Sequence, residues 1–253
     1  MTGVWVAGFW GFVGGSALIL GALVAYFVTL PQRLIASIMA IGSGVLISAV
    51  AFDLMDEAFR QGGFDSTELG FLGGAVVYTA ANIIVSQRGA RHRKRSGSNP
   101  DESQPSAQSN SGAAIAIGAL LDGIPESVVI GASLLSGGGV SAVTVAAVFL
   151  SNVPEGLSSA AGMKAAGRGP GYTFGVWGGI AIASAISAMI GNVALAGSGP
   201  ELIAAVTAVA AGAILAMLVD TMIPEATEAT HDYSGLIAVI GFLAAFILSK
   251  LGG

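Results

Sequence analysis

The stretch LLDGIPESVVIG, Leu120 to Gly131, decides how this chain is read, because it sets an aspartate, a proline and a glutamate inside a run that is otherwise lipid-soluble. Near a helix centre an aspartate costs about 2.5–3.5 kcal/mol on membrane insertion, whereas each Leu, Ile, Phe or Val returns only about 0.3–0.6. One such acid cancels about five leucines or more. A chain that keeps it must have a use for it.

The surroundings are those of a membrane protein. Of 253 residues, 54% are hydrophobic and 10% charged, where a soluble domain carries roughly a quarter charged residues. Cysteine is absent, which excludes a disulfide framework, a thiolate zinc site and a cysteine nucleophile. The net charge of -5 says less about partners than its distribution does. Nothing marks a nucleic-acid partner, and there is no nucleotide-binding loop to couple the chain to ATP.

A crossing needs about 20 mostly apolar residues. The runs that qualify number eight: 4–28, 34–58, 67–86, 112–135, 140–163, 172–196, 201–225 and 234–250. The expected fold class is an all-α polytopic membrane protein, one transmembrane domain over residues 1–253. The first run has no basic residue before it and is long enough to span, so it reads as a transmembrane helix and not as a cleaved signal. Between helices 3 and 4, residues 88–111 pass from RGARHRKR into Ser, Asn, Gln and Pro, a composition that cannot bury a core. A disordered loop is expected there.

Orientation follows from the basic residues of short loops. With the 88–111 loop cytoplasmic, Arg33, Arg88, Arg91, Arg93, Lys94, Arg95, Lys164 and Arg168 face inward, and only Arg60 and Lys250 face outward. Both termini then lie outside. The short loops and compact size favour a bacterial inner membrane.

A shift of 168 residues superposes Gly11 on Gly179, Gly44 on Gly212, Glu57 on Glu225, Ala58 on Ala226 and Gly73 on Gly241. Helices 1–3 would echo helices 6–8, with helices 4 and 5 between them. The triplets then enter from opposite sides, a 3+2+3 inverted repeat of the kind secondary transporters use. The glycine pairs Gly11 and Gly15, Gly70 and Gly74, and Gly175 and Gly179 read as close helix packing within one subunit, with a homodimer face as the alternative.

Asp122, Glu126 and Glu155 sit mid-span, while Asp53, Asp56, Glu57, Asp220 and Glu225 lie near the ends of helices 2 and 7. All ten Lys and Arg residues lie at or beyond span ends. The central acids are therefore expected to lack a protein counter-ion, and to be protonated, hydrated or paired with a cation the chain does not supply. Asp122 and Glu126 are four apart on helix 4, as are Ser151 and Glu155 on helix 5, so each pair shares a helix face. Asn152 adds an amide oxygen. Oxygen donors of these kinds suit divalent cations.

Pro125, Pro154 and Pro224 each remove a donor to the carbonyl four residues back, freeing a backbone oxygen at membrane depth. Transporters place ion sites at such breaks. Depth orders the remaining acids into a path, with Asp53, Asp56 and Glu57 at the outer mouth and Asp220, Glu225, Glu228 and His231 at the inner one. The plainer reading of Asp56, Glu228 and Asp232 is that they reach the headgroups. His92 reads as solvated, and His231 equally well as a helix end.

On these residues the chain resembles the ZIP family of divalent metal transporters, whose fourth helix carries HNxPEG and whose fifth carries a related Pro-centred motif. Here they read DGIPES, Asp122 to Ser127, and SNVPEG, Ser151 to Gly156. Eight spans, a long cytoplasmic loop after helix 3 and outside termini extend the likeness over nearly the whole chain. The resemblance implies that Glu126 and Glu155 stand at the metal-bridging glutamates and that the repeats rock around helices 4 and 5. Asp122 stands where the family usually has histidine, Gly123 replaces the asparagine, and Ser151 and Asn152 replace the first polar residues of the fifth-helix motif. Helix 6 carries no acid, and the family's His-rich loop is reduced to His92.

The expectation is uptake of a divalent metal without any resident cofactor: zinc as the family default, with manganese and iron(II) as competitors because the donors are oxygens. An enzyme is not expected. A proton- or sodium-coupled antiporter uses the same acids. An intramembrane aspartyl protease built on Asp122 and Asp220 lacks its GxGD context, since the second site reads AMLVDTM, and no HExxH supports a zinc protease.

Overall fold

The computed structural model describes residues 2–97, 103–107, 111–135 and 141–252. All regular structure among them is helical. Nine α-helices follow in order: α1 (Thr2–Phe27), α2 (Gln32–Ala49), α3 (Met55–Val85), α4 (Gly112–Ser133), α5 (Ala142–Ala165), α6 (Pro170–Leu195), α7 (Pro200–Met217), α8 (Ile223–Thr230) and α9 (Ser234–Gly252).

Among the described residues five helical stretches are long and apolar enough to cross a membrane: Gly3–Phe27, Gln32–Ala90, Gly112–Ser133, Pro170–Leu195 and Pro200–Leu251. The second and fifth run to 59 and 52 residues, far beyond the roughly 20 that one crossing needs. Each is interrupted. Gly63 takes φ 69°, a left-handed conformation glycine reaches without penalty, and His231 takes φ 44° at the end of α8. The expected end of helix 2 at residue 58 is therefore too early, because the polar segment DEAFRQ stays helical up to the break at Gly63. α5 is long enough to span but is not one of the five, since Ser151, Asn152, Glu155, Ser158 and Ser159 lower its hydropathy.

Large apolar side chains point outward along these helices, among them Phe9, Leu72, Val76, Ile190, Ile240 and Ile247. A surface of that kind suits lipid and not water. The chain is an all-α protein built to be embedded in a membrane.

Small residues let the helix backbones approach closely. A methyl group on Gly44 of α2 would strike the Ala238 carbonyl of α9, and one on Gly241 of α9 would strike the Ile41 carbonyl of α2. The α3 and α7 pair repeats this: Gly212 of α7 faces the Phe71 carbonyl, and Gly74 of α3 faces the Val209 carbonyl. Gly73, expected to match Gly241, meets nothing within 4 Å, whereas its neighbour Gly74 makes the close contact. α1 packs on α5 and α6, and α4 on α6 and α7. Met39, Tyr78, Met217, Leu218 and Met222 form the buried core where α2, α3 and α7 meet.

Three short π-helical turns occur among the described residues, Val50–Leu54 after α2, Ser86–Ala90 after α3 and Leu218–Met222 after α7. The first and third lie 168 residues apart. In each of these two, the next amide reaches back five residues, Met55 to the Val50 carbonyl and Ile223 to the Leu218 carbonyl. Pro224 sits at the start of α8 directly after the third turn. The first turn forms with Asp56 at the corresponding place, so proline is not what dictates it.

Candidate cation site

α4 and α5 carry the three central acids, and all are buried: Asp122 is 1% exposed, Glu126 2% and Glu155 3%. Pro125 and Pro154 lie within their helices. The structure brings Asp122 and Glu155 together through a single ammonium, since Lys94 Nζ lies 3.3 Å from Asp122 Oδ2 and 3.0 Å from Glu155 Oε2. Glu126 faces Glu155 and the Asn152 side chain. Its Oε1 is buried with no hydrogen-bond partner among the described residues.

The expectation that these acids lack a protein counter-ion is corrected. Arg93 and Lys94, from the segment following α3, are themselves 1% and 3% exposed. Arg93 grips Asp122 with both ends of its guanidinium fork, Nε to Oδ2 at 2.9 Å and Nη2 to Oδ1 at 2.8 Å. Tyr78 donates to the same Oδ1 at 2.6 Å and accepts from Arg93 Nη2 at 3.0 Å. Arg93 Nη1 donates to Asn82 Oδ1 at 3.0 Å and to the Ala90 carbonyl at 3.2 Å. Lys94 differs: its contacts are its two ion pairs, to Asp122 and, more closely, to Glu155.

The main chain of this segment is held as firmly as its side chains. Gln104 donates to the carbonyls of Arg93, Arg95 and Ser159, and Ser159 Oγ donates to the Arg93 carbonyl at 2.7 Å. Ser158 Oγ lies 2.7 Å from the Lys94 carbonyl and 2.9 Å from Glu225 Oε1, and its single proton serves one of the two at a time. Residues 93–97 and 104 thus lie among helices and do not trail as a solvated linker. Residues 98–102 and 108–110 of the expected disordered loop lie outside the described residues. His92, beside Arg91 and Arg95, has its pKa lowered by burial first and by those cations next. It is neutral at pH 7, and the charges of the inserted segment are those of Arg93, Lys94 and Arg95.

The acids expected along the inner path are drawn into the same assembly. Glu225 is 3% exposed. Its Oε1 accepts from the Ser96 amide at 2.9 Å and from Ser96 Oγ at 2.5 Å. Glu228 pairs with Arg95 at 2.7 Å. Asp220 is exposed and accepts from Asn82 Nδ2 at 3.4 Å, so it connects to Asp122 only through Asn82 and Arg93. A groove of about 370 Å³ lined by Asn82, Arg91, Asp220 and Thr221 opens beside that link. His231 is exposed at the helix break and apart from the cluster.

Of the three acids expected at the outer mouth, Asp56 and Glu57 are met from their own helix and Asp53 from α9. Asp53, inside the first π-turn, accepts from Ser249 of α9 at 2.6 Å. Asp56 pairs with Arg60 at 2.5 Å, and Glu57 accepts from Gln61. Of the other expected ligands, Ser151 donates to the Val148 carbonyl at 2.9 Å and Asn152 donates to Gly14 of α1 at 3.1 Å, which leaves the Asn152 amide oxygen as its ligand atom. Among the described residues no three of His, Asp and Glu converge as a metal-ligand set.

Sequence reasoning missed Tyr78, Asn82, Arg93, Lys94, Ser96, Gln104, Ser158 and Ser159. A signal was present for half of them: Tyr78 and Asn82 are four apart in an apolar helix, and Ser151, Glu155, Ser158 and Ser159 fall on one face of α5. Compared with known proteins, the sequence matches no protein-family model and no curated protein.

Proposed function

We propose that this protein carries divalent metal cations across a membrane through the acids of α4 and α5, in the manner of the ZIP family it resembles. The observation that carries the reading is Glu126, a fully buried carboxyl with an unpartnered oxygen, set beside Glu155 on a neighbouring proline-containing helix. Three buried carboxyls stand beside two buried cations, so the third, Glu126, has no cation of the chain paired with it among the described residues. Asp122, Glu126, Glu155 and the oxygens of Asn152 and Ser151 are the proposed ligands. Zinc heads the list of substrates, with manganese and iron(II) behind it.

The proposed architecture is eight crossings in a 3+2+3 inverted repeat, with α5 as the fifth. Support comes from the reciprocal packing of α2 on α9 and α3 on α7, and from two π-turns 168 residues apart. With termini outside and the Arg93 segment cytoplasmic, Asp53, Asp56 and Glu57 form the entrance and Glu225 and Glu228 the exit. The membrane is proposed to be a bacterial inner membrane.

A second reading, proton- or sodium-coupled exchange, draws on the lack of a three-residue His, Asp and Glu set among the described residues, which such an exchanger does not need. Uptake into proteoliposomes decides between them. Zinc, manganese and iron(II) are offered separately to the wild-type chain and to Glu126→Ala and Glu155→Ala. Saturable metal flux lost in both variants is the expected result; full flux in both removes these residues from the site. Proton or sodium flux without metal flux puts the exchanger first.

A further inference from the structure

We infer that Lys94 is a built-in substitute for the transported cation, an ammonium tethered between Asp122 and Glu155 whose segment, Arg93 to Ser96, closes the inner mouth until a divalent ion displaces it. The inference rests on the transport reading above and adds a regulatory state to it.

The two basic residues are held in different ways, and the difference assigns their roles. Arg93 is locked by hydrogen bonds to Asp122, Tyr78, Asn82 and Ala90. It anchors the segment. Lys94 reaches one step further, to the point where α4 and α5 each present a carboxylate, and it is held there by two ion pairs, of which the closer, to Glu155 at 3.0 Å, is its one directional contact. A compact ammonium on a flexible stem is the side chain best able to stand in for an ion and to leave. A divalent cation brought to the same two carboxylates, and able to recruit the orphaned Glu126 Oε1, offers twice the charge with three oxygen donors.

Lys94 cannot leave without disturbing the seal. Its carbonyl is bonded to Ser158, whose hydroxyl also contacts Glu225, and the next residues hold Glu228 through Arg95 and Glu225 through Ser96. Withdrawal of Lys94 therefore loosens the contacts that cap the two exit acids. Occupancy of the central site and closure of the inner side are carried by the same four residues.

The chain of 253 residues has no cysteine, which makes a single engineered thiol unambiguous. Ser96→Cys is labelled with a hydrophilic maleimide in detergent, with and without zinc, beside zinc-binding isotherms for wild type, Lys94→Gln and Lys94→Arg. The expected results are at least about tenfold faster labelling with zinc, and about tenfold tighter zinc binding for Lys94→Gln but not for Lys94→Arg, because removing a competing occupant raises the competent fraction. Zinc binding of equal affinity in wild type and Lys94→Gln, with labelling unchanged by zinc, overturns the inference and leaves the metal reading standing. Absence of zinc binding in every chain overturns both. Should Lys94→Gln fail to fold, the labelling of Ser96→Cys with Lys94 intact decides.

Discussion

Glu57 and Glu225 stand 168 residues apart, each three residues beyond a π-turn, yet they live in different surroundings. Glu57 is half-buried and accepts from Gln61 one turn along its own helix, while its neighbour Asp56 pairs with Arg60. Glu225 is buried and accepts from Ser96 and Ser158, two elements distant in sequence. The local chain is alike on the two sides. What differs is the partner: the segment after α3 reaches Glu225, whereas Glu57 is met by its own helix. On the transport reading proposed above, an acid satisfied on its own helix lies at an open mouth and one that binds a distant segment lies at a closed one.

The strongest test of that contrast is Arg93→Ala. It leaves Asp122 buried with Tyr78 and Lys94 as its remaining partners, and removing one side of a buried pair costs about 3–5 kcal/mol. Unfolding of the purified protein in detergent should show a loss of that size. A loss under about 1 kcal/mol, the range of exposed pairs, would mean that the inner segment is held no better than the outer surface.

Next in size is the packing that relates the two halves. Gly44→Ala and Gly212→Ala each drive a methyl group into a backbone carbonyl, Ala238 and Phe71 respectively, with no flexible side chain to yield. Overpacking of this kind costs about 1–3 kcal/mol. Equal losses, measured by the same unfolding assay, sharpen the equivalence of the α2–α9 and α7–α3 contacts; Gly73→Ala, which meets nothing within 4 Å, is the matched control. A large loss at one glycine and none at the other would break the reciprocity.

Glu225→Gln keeps the shape of the side chain and removes its charge. The Ser96 and Ser158 hydrogen bonds become neutral ones, and a loss of about 1 kcal/mol is expected, since bonds to charged groups are worth about 1.5–3 kcal/mol and neutral ones about 1. The more telling readout is limited trypsin digestion at Arg91 and Arg95. Cleavage there should quicken in Glu225→Gln and stay unchanged in Glu57→Gln.

These expectations separate what local pattern can carry from what it cannot. The helical class and the apolar runs were legible because hydrophobic surface for lipid is written continuously along the chain. The acids of α4 and α5 were legible because their insertion cost makes them conspicuous. Their partners were not. Arg93 pairs with Asp122 across 29 residues, and a basic run followed by Ser, Asn and Pro has the composition of a solvated linker whether or not two of its members turn inward. The polar face of Tyr78 and Asn82 on α3 was the available clue, since an apolar helix places a phenol and an amide four apart only where something meets them. Which of Gly73 and Gly74 packs against α7 was beyond reach for a different reason. In so glycine-rich a chain composition favours neither, and only the contact of Gly74 with Val209 chooses.

The smallest expected effect is at the outer mouth, and its smallness is the point. Asp56 and Arg60 form an i, i+4 pair whose side chains are 41% and 68% exposed. Such pairs contribute about 0.3–0.5 kcal/mol. Asp56→Asn should therefore leave unfolding almost unchanged, while removing one negative charge from the proposed entrance. If metal enters there, uptake at low ionic strength should slow by a few-fold, and the difference should fade as salt is raised, because screening shortens the reach of an exposed charge to about 10 Å at 0.1 M. A stability loss as large as that of Glu225→Gln would show that the outer acids are structural after all, and would erase the distinction between an open mouth and a closed one.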